Sequence, residues 1–463
     1  MKTLRHNSTT NPITKRIFKF GSSVAFAGAL ISSGSSLEAA SYWKGVDGIG
    51  GDGTWLNSNF SPTGTPTSST DVWFDYSDTY TTKASTVTIG VGVAARAKSI
   101  VAMNGKEVLL KLSDTSSLTV GTGVIGVSAN AATIASSSSL TIEGPATGSA
   151  TVTAVRLFLE NNTANVGTAH RNALVLSGSN LSVALSGTTY NGVNGRSSIT
   201  ITNGASVVVN GASGVTGGFY SRTGNVGSVY DNFISIQNGS LKAGYARVEG
   251  LFQLGAAGSL GTSASATTEA MPVMTIEVRK GTGAAGGRFE VEGSGLAADV
   301  ITDVWIGGTL AVGLSDPLTG TRTTASSVTL DSHVKLKAGS FLELGIFGPG
   351  ANDADRIFLG ETGKIENFGT GGKLVLTLHS GFVPEYGQTY TLLDIDPLNL
   401  EGIVGNFDLS GIDTTIWDLS SFNEAGGWAV TSIPEPGTNA LLGALALAGC
   451  CWKFGRRKSQ VCC

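Results

Sequence analysis

Carboxylates that recur in pairs are the residues of this chain best suited to chemistry: Asp299 with Asp303, Asp353 with Asp355 beside Arg356, and Asp394 with Asp396. Two carboxyl groups roughly 5–9.5 Å apart across a groove are the machinery of glycoside hydrolysis, one donating a proton while the other acts as nucleophile or base. Acids two positions apart on a strand share a face, but single-strand acids flanked by glycine are more often solvated turn residues. The histidines give no second foothold. His170 sits in a polar segment, His333 and His379 lie on or beside strand-like stretches, and none neighbours a nucleophile or a ligand cluster. No catalytic residue, metal or cofactor is therefore expected, and the chain reads as no enzyme. A secreted polysaccharide lyase or glycosidase is the alternative.

Residues 42–75 concentrate Tyr42, Trp43, Trp55, Phe60, Trp73 and Phe74. Trp43, Trp55 and Trp73 read either as an aromatic cap over an open core or as a platform on which sugar rings stack, which would make the chain a carbohydrate-binding module. Within the same stretch Gly50-Gly51-Asp52-Gly53 matches one fragment of a calcium-binding nonapeptide, but such sites need stacked copies and this one occurs once. The string Gly281-Thr282-Gly283-Ala284-Ala285-Gly286-Gly287 does not lie between a strand and a helix, so it is a loop and no phosphate cradle.

The elements that must hold these residues are strands. Leu140-Thr141-Ile142-Glu143-Gly144, Leu174-Val175-Leu176-Ser177-Gly178, Ile199-Thr200-Ile201-Thr202-Asn203-Gly204 and Ile234-Ser235-Ile236-Gln237-Asn238-Gly239 alternate apolar with polar and end on small turn residues. Period-two alternation puts one face inward, and Gly or Asn-Gly supplies positive φ for a tight corner. Second strands then follow, as at Leu181-Ser182-Val183, Val207-Val208-Val209 and Leu336-Lys337-Ala338. Helical periodicity with caps is almost missing between residues 41 and 433, so the class is all-β. Strand-corner-strand units with Gly-rich spacers favour a parallel β-solenoid over tandem sandwiches. Leu176, Ile201, Ile236 and Leu330 are expected to share its core. Units beginning at Leu174, Ile199 and Ile234 are 25 and then 35 residues apart, a loose period. Coils of about 20–30 residues rising ~4.8 Å each make a rod on the order of 60–90 Å.

The two ends of the chain carry different signals. Residues 1–37 hold Lys2, Arg5, Lys15, Arg16 and Lys19 without an acid; an apolar stretch, Val24 to Ile31, and the small Ala39 and Ala40 follow. This is a secretory signal peptide of the general route, since Lys15 stands where a twin-arginine signal needs arginine. At the far end Pro434-Glu435-Pro436 bars a helix and stays extended. An apolar run from Asn439 to Phe454, without charge from Ala440 to Ala448, leads to Arg456, Arg457 and Lys458, which hold that end in the cytoplasm. The run is short of the roughly 20 residues of a full span, a mismatch that thinning or snorkelling absorbs. All four cysteines, Cys450, Cys451, Cys462 and Cys463, lie in or beyond this run, so the exported part has no disulfide. The net charge of −4 hides an asymmetry: five bases precede residue 38 and four (Lys453, Arg456, Arg457 and Lys458) lie at the far end of the apolar run and beyond, leaving 21 bases against 32 acids outside the two terminal segments, near −11. That balance excludes nucleic-acid binding.

The tail, with its Pro-Glu-Pro, apolar run and basic end in that order, resembles the PEP-CTERM sorting signal of Gram-negative surface proteins. The resemblance implies an exosortase partner, transient anchoring in the inner membrane by a C-terminal transmembrane helix, and release to the cell surface or extracellular matrix. A second resemblance covers the region before the tail. Trp43-Lys44-Gly45, Gly53-Thr54-Trp55, Asn59-Phe60 and Asp71-Val72-Trp73-Phe74 resemble the start of autotransporter-like passengers. Asp355 to Gly360, Gly372 to Leu378, Gly381 to Pro384, Gly387 to Asp394 and Gly405-Asn406-Phe407 are similar to their terminal rungs, which close a β-helix. The chain departs from that family in having only some thirty residues after these rungs, too few for a membrane barrel of eight strands of about ten residues. The expected organisation is a signal peptide at 1–40, an aromatic-rich cap at 41–80, solenoid repeats at 81–340, autotransporter-like closing rungs at 341–431 and the sorting segment at 432–463. The role implied is that of a structural or adhesin-like surface protein, with extracellular polysaccharide as a further candidate partner.

Overall fold

Every second residue of most strands is apolar, and in a coil of three short strands all of those side chains converge on one axis. The computed structural model describes residues 40–433 except 63, 78, 130–136, 162–170, 194–195, 211–217, 222–230, 262–274, 281–285, 297–302, 368–371, 380 and 424–426. The expected signal peptide lies outside the described residues, as does the apolar C-terminal run. Among the described residues no helix is long and apolar enough to cross a membrane.

The fold is all-β and parallel. One coil consists of Val124–Ala129, Ser139–Glu143 and Ala150–Ala154; the next is Arg156–Asn161, Asn172–Ser177 and Leu181–Leu185. Each strand pairs in parallel with its counterpart one coil away, so that Ile125 faces Leu157, Leu140 faces Leu174 and Val152 faces Val183. Repeated along the chain, this makes one sheet of fourteen strands and one of twelve, with a third face divided into sheets of seven and four. Tandem sandwiches are excluded by parallel sheets of that size. Fourteen strands at about 4.8 Å give a stack roughly 60 Å long.

Inward positions form continuous columns. Leu140, Leu174, Ile199, Ile234, Phe252, Phe289, Leu310, Leu342 and Leu374 lie in register through the twelve-stranded sheet. A parallel column, Ile142, Leu176, Ile201 and Ile236, runs beside it. Leu176, Ile201, Ile236 and Leu330 are all fully buried in one core. The stacking passes unbroken across the expected boundaries at 80 and 340: Asp71–Phe74 pairs with Ser99–Met103, and Phe341–Ile346 with Thr309–Val312.

Corners divide by physical cause. Asn203 and Gly204 both take positive φ, 52° and 83°, the conformation the Asn-Gly pattern predicts. Asn238-Gly239 has the same sequence but no positive φ. There glycine is needed for space: a Cβ on Gly239 would lie 2.8 Å from Ile201 Cγ2 and 2.9 Å from the Ala205 carbonyl oxygen.

Candidate functional site

At the N-terminal end, Ser41–Trp43 runs antiparallel to Phe60–Ser61 and parallel to Asp71–Phe74. Strand alternation turns Trp43 and Phe74 inward and Tyr42 and Trp73 outward. Trp43 and Trp55 each meet Phe60 edge-on with centroids 5.1 Å apart, and all three rings are buried. Neither indole has a free face for a sugar. Trp73 is half-buried on the outer side, where it meets Tyr42 at 5.2 Å, and Tyr42 stacks on Tyr80. The three tryptophans are thus not one cluster.

The Gly50-Gly51-Asp52-Gly53 loop turns out to hold a cation that belongs to the chain. The ammonium of Lys106, fully buried, donates to the carbonyl oxygens of Gly50 and Thr82. Burial pushes it down to about 8, against the pull of Asp47, Asp75 and Asp52. Trp43 Nε1 donates to the Gly51 carbonyl at 2.8 Å, and Asp47 accepts from the amides of Ile49 and Gly51, so the loop is tied to the aromatic end. Among the described residues no group of His, Cys, Asp or Glu is placed to hold a metal.

The carboxylate candidates part company. Asp355 is fully buried and takes a bidentate pair from Arg322 at 2.7 and 2.8 Å, with further bonds from the amides of Ser326 and Gly345. Asp353 accepts from the Gly350 amide in a turn. Arg356 lies 3.9 Å from Asp394 on the surface, and Asp396 closes a turn onto the Leu398 amide. Asp299 lies outside the described residues, and Asp303 begins the strand Asp303–Ile306. His170 also lies outside them, while His333 pairs with Glu366 at 2.7 Å.

What the sequence did not disclose is a covered polar row on the outside of the twelve-stranded sheet. The long corner 313–326 folds back over that face. Its Ser315 donates to Glu290 from both amide and hydroxyl, and Gln253 donates to Glu290 and to the Ser315 carbonyl. Arg288 bridges Glu290 and Glu343, the latter through two bonds of 2.7 and 2.9 Å. Burial pushes the Glu343 carboxyl up, but Arg288 outweighs it and holds the group below the usual carboxylate range. Arg322 from the same corner lies over the Phe347 ring, which stacks on His379 at 4.3 Å. Burial, with Arg322 close by, keeps the His379 imidazole below its ordinary value. Outward charges on alternating strands read as solvated. The available signal was the fourteen-residue gap between Thr309–Val312 and Ser327–Leu330.

The C-terminal end is closed by a different device. Thr389–Thr391, Ala429–Ser432 and Trp417–Asp418 form an antiparallel sheet. Tyr390 packs on Trp417, and Phe407, Phe422 and Trp428 form an edge-on trio. The Ile433 amide donates to the Ile416 carbonyl at 2.8 Å, so the chain is bonded into the fold up to that residue. Pro434, Glu435 and Pro436, and the basic Arg456, Arg457 and Lys458, lie outside the described residues. Comparison with protein-family models, with curated proteins and with solved structures finds no match to this chain.

Proposed function

We propose that this chain is an exported β-helix that serves a structural or adhesin-like role at the surface of a Gram-negative cell, addressed by a PEP-CTERM-type tail that an exosortase processes. The observation that carries the reading is the junction. Ile433 is bonded to Ile416, and the Pro-Glu-Pro element begins at the next residue of the sequence. The strand Ala429–Ser432 thus carries the chain out of the closing sheet directly before the sequence that resembles a sorting signal. The C-terminal run acts as the transmembrane helix, with Arg456 to Lys458 on the cytoplasmic side.

The described acids support a structural over a hydrolytic role, since Asp355 and Asp353 are both taken up by internal bonds. If the surface meets polysaccharide at the N-terminal end, Trp73 with Tyr42 and Tyr80 is the aromatic surface available, because Trp43 and Trp55 are buried. The tail is tested with Glu435→Ala in cells that carry an exosortase. Membrane insertion persists, since the apolar run is untouched, but release stops. The readout is the mass of the mature C-terminus. Retention of residues through Cys463 by both wild type and variant reduces the segment to a plain anchor.

A further inference from the structure

The interior of the coil is weakest where its columns turn polar. In the fourteen-stranded sheet the inward column Leu159, Asn191, Ser221 and Val248 carries two polar side chains between apolar ones. Asn191 and Asn232 are fully buried. Ser197 Oγ lies 2.8 and 2.9 Å from their amide oxygens, with a single proton to give to both. Asn191 Nδ2 donates to the Phe233 carbonyl at 2.8 Å. Among the described residues Asn232 Nδ2 and Ser221 Oγ, both buried, have no partner. A buried polar group left unpaired is destabilising, so the coils of Ser197–Thr202 and Asn232–Ile236 are poorly held from within.

The corner 313–326 reaches back over those coils from outside. It leaves the strand Thr309–Val312, which is five steps from Asn172–Ser177 in the twelve-stranded sheet, about 24 Å along the stack. Ser315 is held on Glu290 and Gln253, one and two steps back, and Arg322 on Asp355. Beyond Ser315 the Pro317 carbonyl accepts from Arg171 at 3.4 Å. That guanidinium lies over the Phe233 ring at 4.8 Å, and Phe233 is the residue whose carbonyl bonds Asn191. Burial and the neighbouring Arg196 push the Arg171 guanidinium below its ordinary value, against the pull of Asp231 and Asp316. The tip is closed on itself: the Asp316 amide donates to the Thr321 carbonyl at 2.8 Å, and the Gly320 amide to the Asp316 carbonyl at 2.7 Å. Coils of a solenoid touch only their neighbours, so each can open by itself when its own core is poor. A tie that skips coils removes that freedom. We propose that the tip 316–321 is an axial brace: through Arg171 and Phe233 it locks the polar-cored coils to the coil of Thr309–Val312, so that they open with it and not alone. The brace is independent of how the tail is processed.

Because Asp316 and Thr321 are bonded to each other, Ser315 and Arg322 leave the tip side by side, and Gly-Gly in place of residues 316–321 joins them with both anchors kept. Hydrogen exchange of the full-length chain in detergent micelles reads the effect strand by strand. In the tipless variant Ser197–Thr202 and Asn232–Ile236 are expected to exchange about tenfold faster, the lower end for losing a bond to a charged group. Glu107–Leu112, outside the span of the brace, is expected to keep its wild-type rate and shows that the variant folds. Arg171→Met cuts the same tie from the other side, so removing the tip in that background adds little further. Unchanged exchange at the polar-cored strands overturns the brace. An equal effect of tip removal with and without Arg171 also overturns it, because the tip then acts through other contacts. An equal acceleration of Glu107–Leu112 does the same, since it marks a general loss of stability.

Discussion

Ile201 offers the sharpest test of how the coil is held together. It is fully buried, in register between Leu176 of one coil and Ile236 of the next. The Gly239 corner rests on its Cγ2, with no room for a further carbon between them. Ile201→Val removes the terminal methyl and keeps Cγ2, at a cost of about 0.5–1.5 kcal/mol. Ile201→Ala also removes Cγ2 and leaves a hole the corner cannot fill, because Ser240–Lys242 is fixed by its own ladder; this costs about 2–5 kcal/mol. Ile201→Asp places an unpaired charge in a dry column, and the coil is not expected to form. Gly239→Ala drives its methyl against both Ile201 Cγ2 and the Ala205 carbonyl, so it destabilises alone. In the Ile201→Ala background the first clash disappears and the second persists. The double variant should therefore cost less than the sum, with a coupling of roughly 0.5–3 kcal/mol. The assay is urea unfolding of residues 41–433 followed by far-ultraviolet circular dichroism. A cost below about 1 kcal/mol for Ile201→Ala, or strict additivity with Gly239→Ala, would refute the stacked-column account.

Two further expectations bear on buried charge. Lys106 releases its proton near 8 in the folded chain, whereas its ordinary value is 10.5; the unfolded chain therefore holds more protons in between, and stability rises with pH across that window. The rise is at most about 1.4 kcal/mol per pH unit for one proton and should vanish in Lys106→Met; it is best read between pH 8 and 9.5 by urea midpoint, before tyrosines ionise in the unfolded chain. Asp355→Asn strands the Arg322 guanidinium in a buried site and should cost about 3–5 kcal/mol. Adding Arg322→Met should recover part of that loss, and a double variant no better than Asp355→Asn argues that the other bonds to Asp355 carry the stability.

The all-β coil was legible because period-two alternation is a local signal that every strand repeats. Ile201 declares its face through Ile199 and Thr200 alone, without knowledge of what lies above or below. The corners were legible only in part. Asn203-Gly204 and Asn238-Gly239 are identical in sequence, yet one needs a backbone conformation and the other a gap beside Ile201, a neighbour 38 positions away. The aromatic N-terminal stretch showed the same limit. Trp43 and Trp73 carry the same two readings in sequence, buried cap or sugar platform, and only their opposite positions on paired strands separate a buried ring from an outer one.

Charged residues were the least legible, because a charge on an outward strand position says nothing about what covers it. Arg288 and Glu290 alternate with Phe289 and Val291 in the manner of a solvated face, and yet all four are buried. Their cover is the corner 313–326, and its length is the clue: a parallel coil needs only two or three residues to turn, as Asn203 to Ala205 do between Ser197–Thr202 and Ser206–Val209. Residues in excess of that must go somewhere. When they carry matching partners, as the Ser315 donors do for Glu290 and the Arg322 charge for Asp355, they fold back against the body. The C-terminal end differs: residues 405–433 are about as many as one coil uses, yet Trp417–Asp418 and Ala429–Ser432 pair antiparallel, together with Thr389–Thr391, and add no further coil. A further parallel coil would again end in an unpaired strand edge open to any other chain, whereas a small antiparallel sheet with an edge-on aromatic trio ends the stack without repeating that edge.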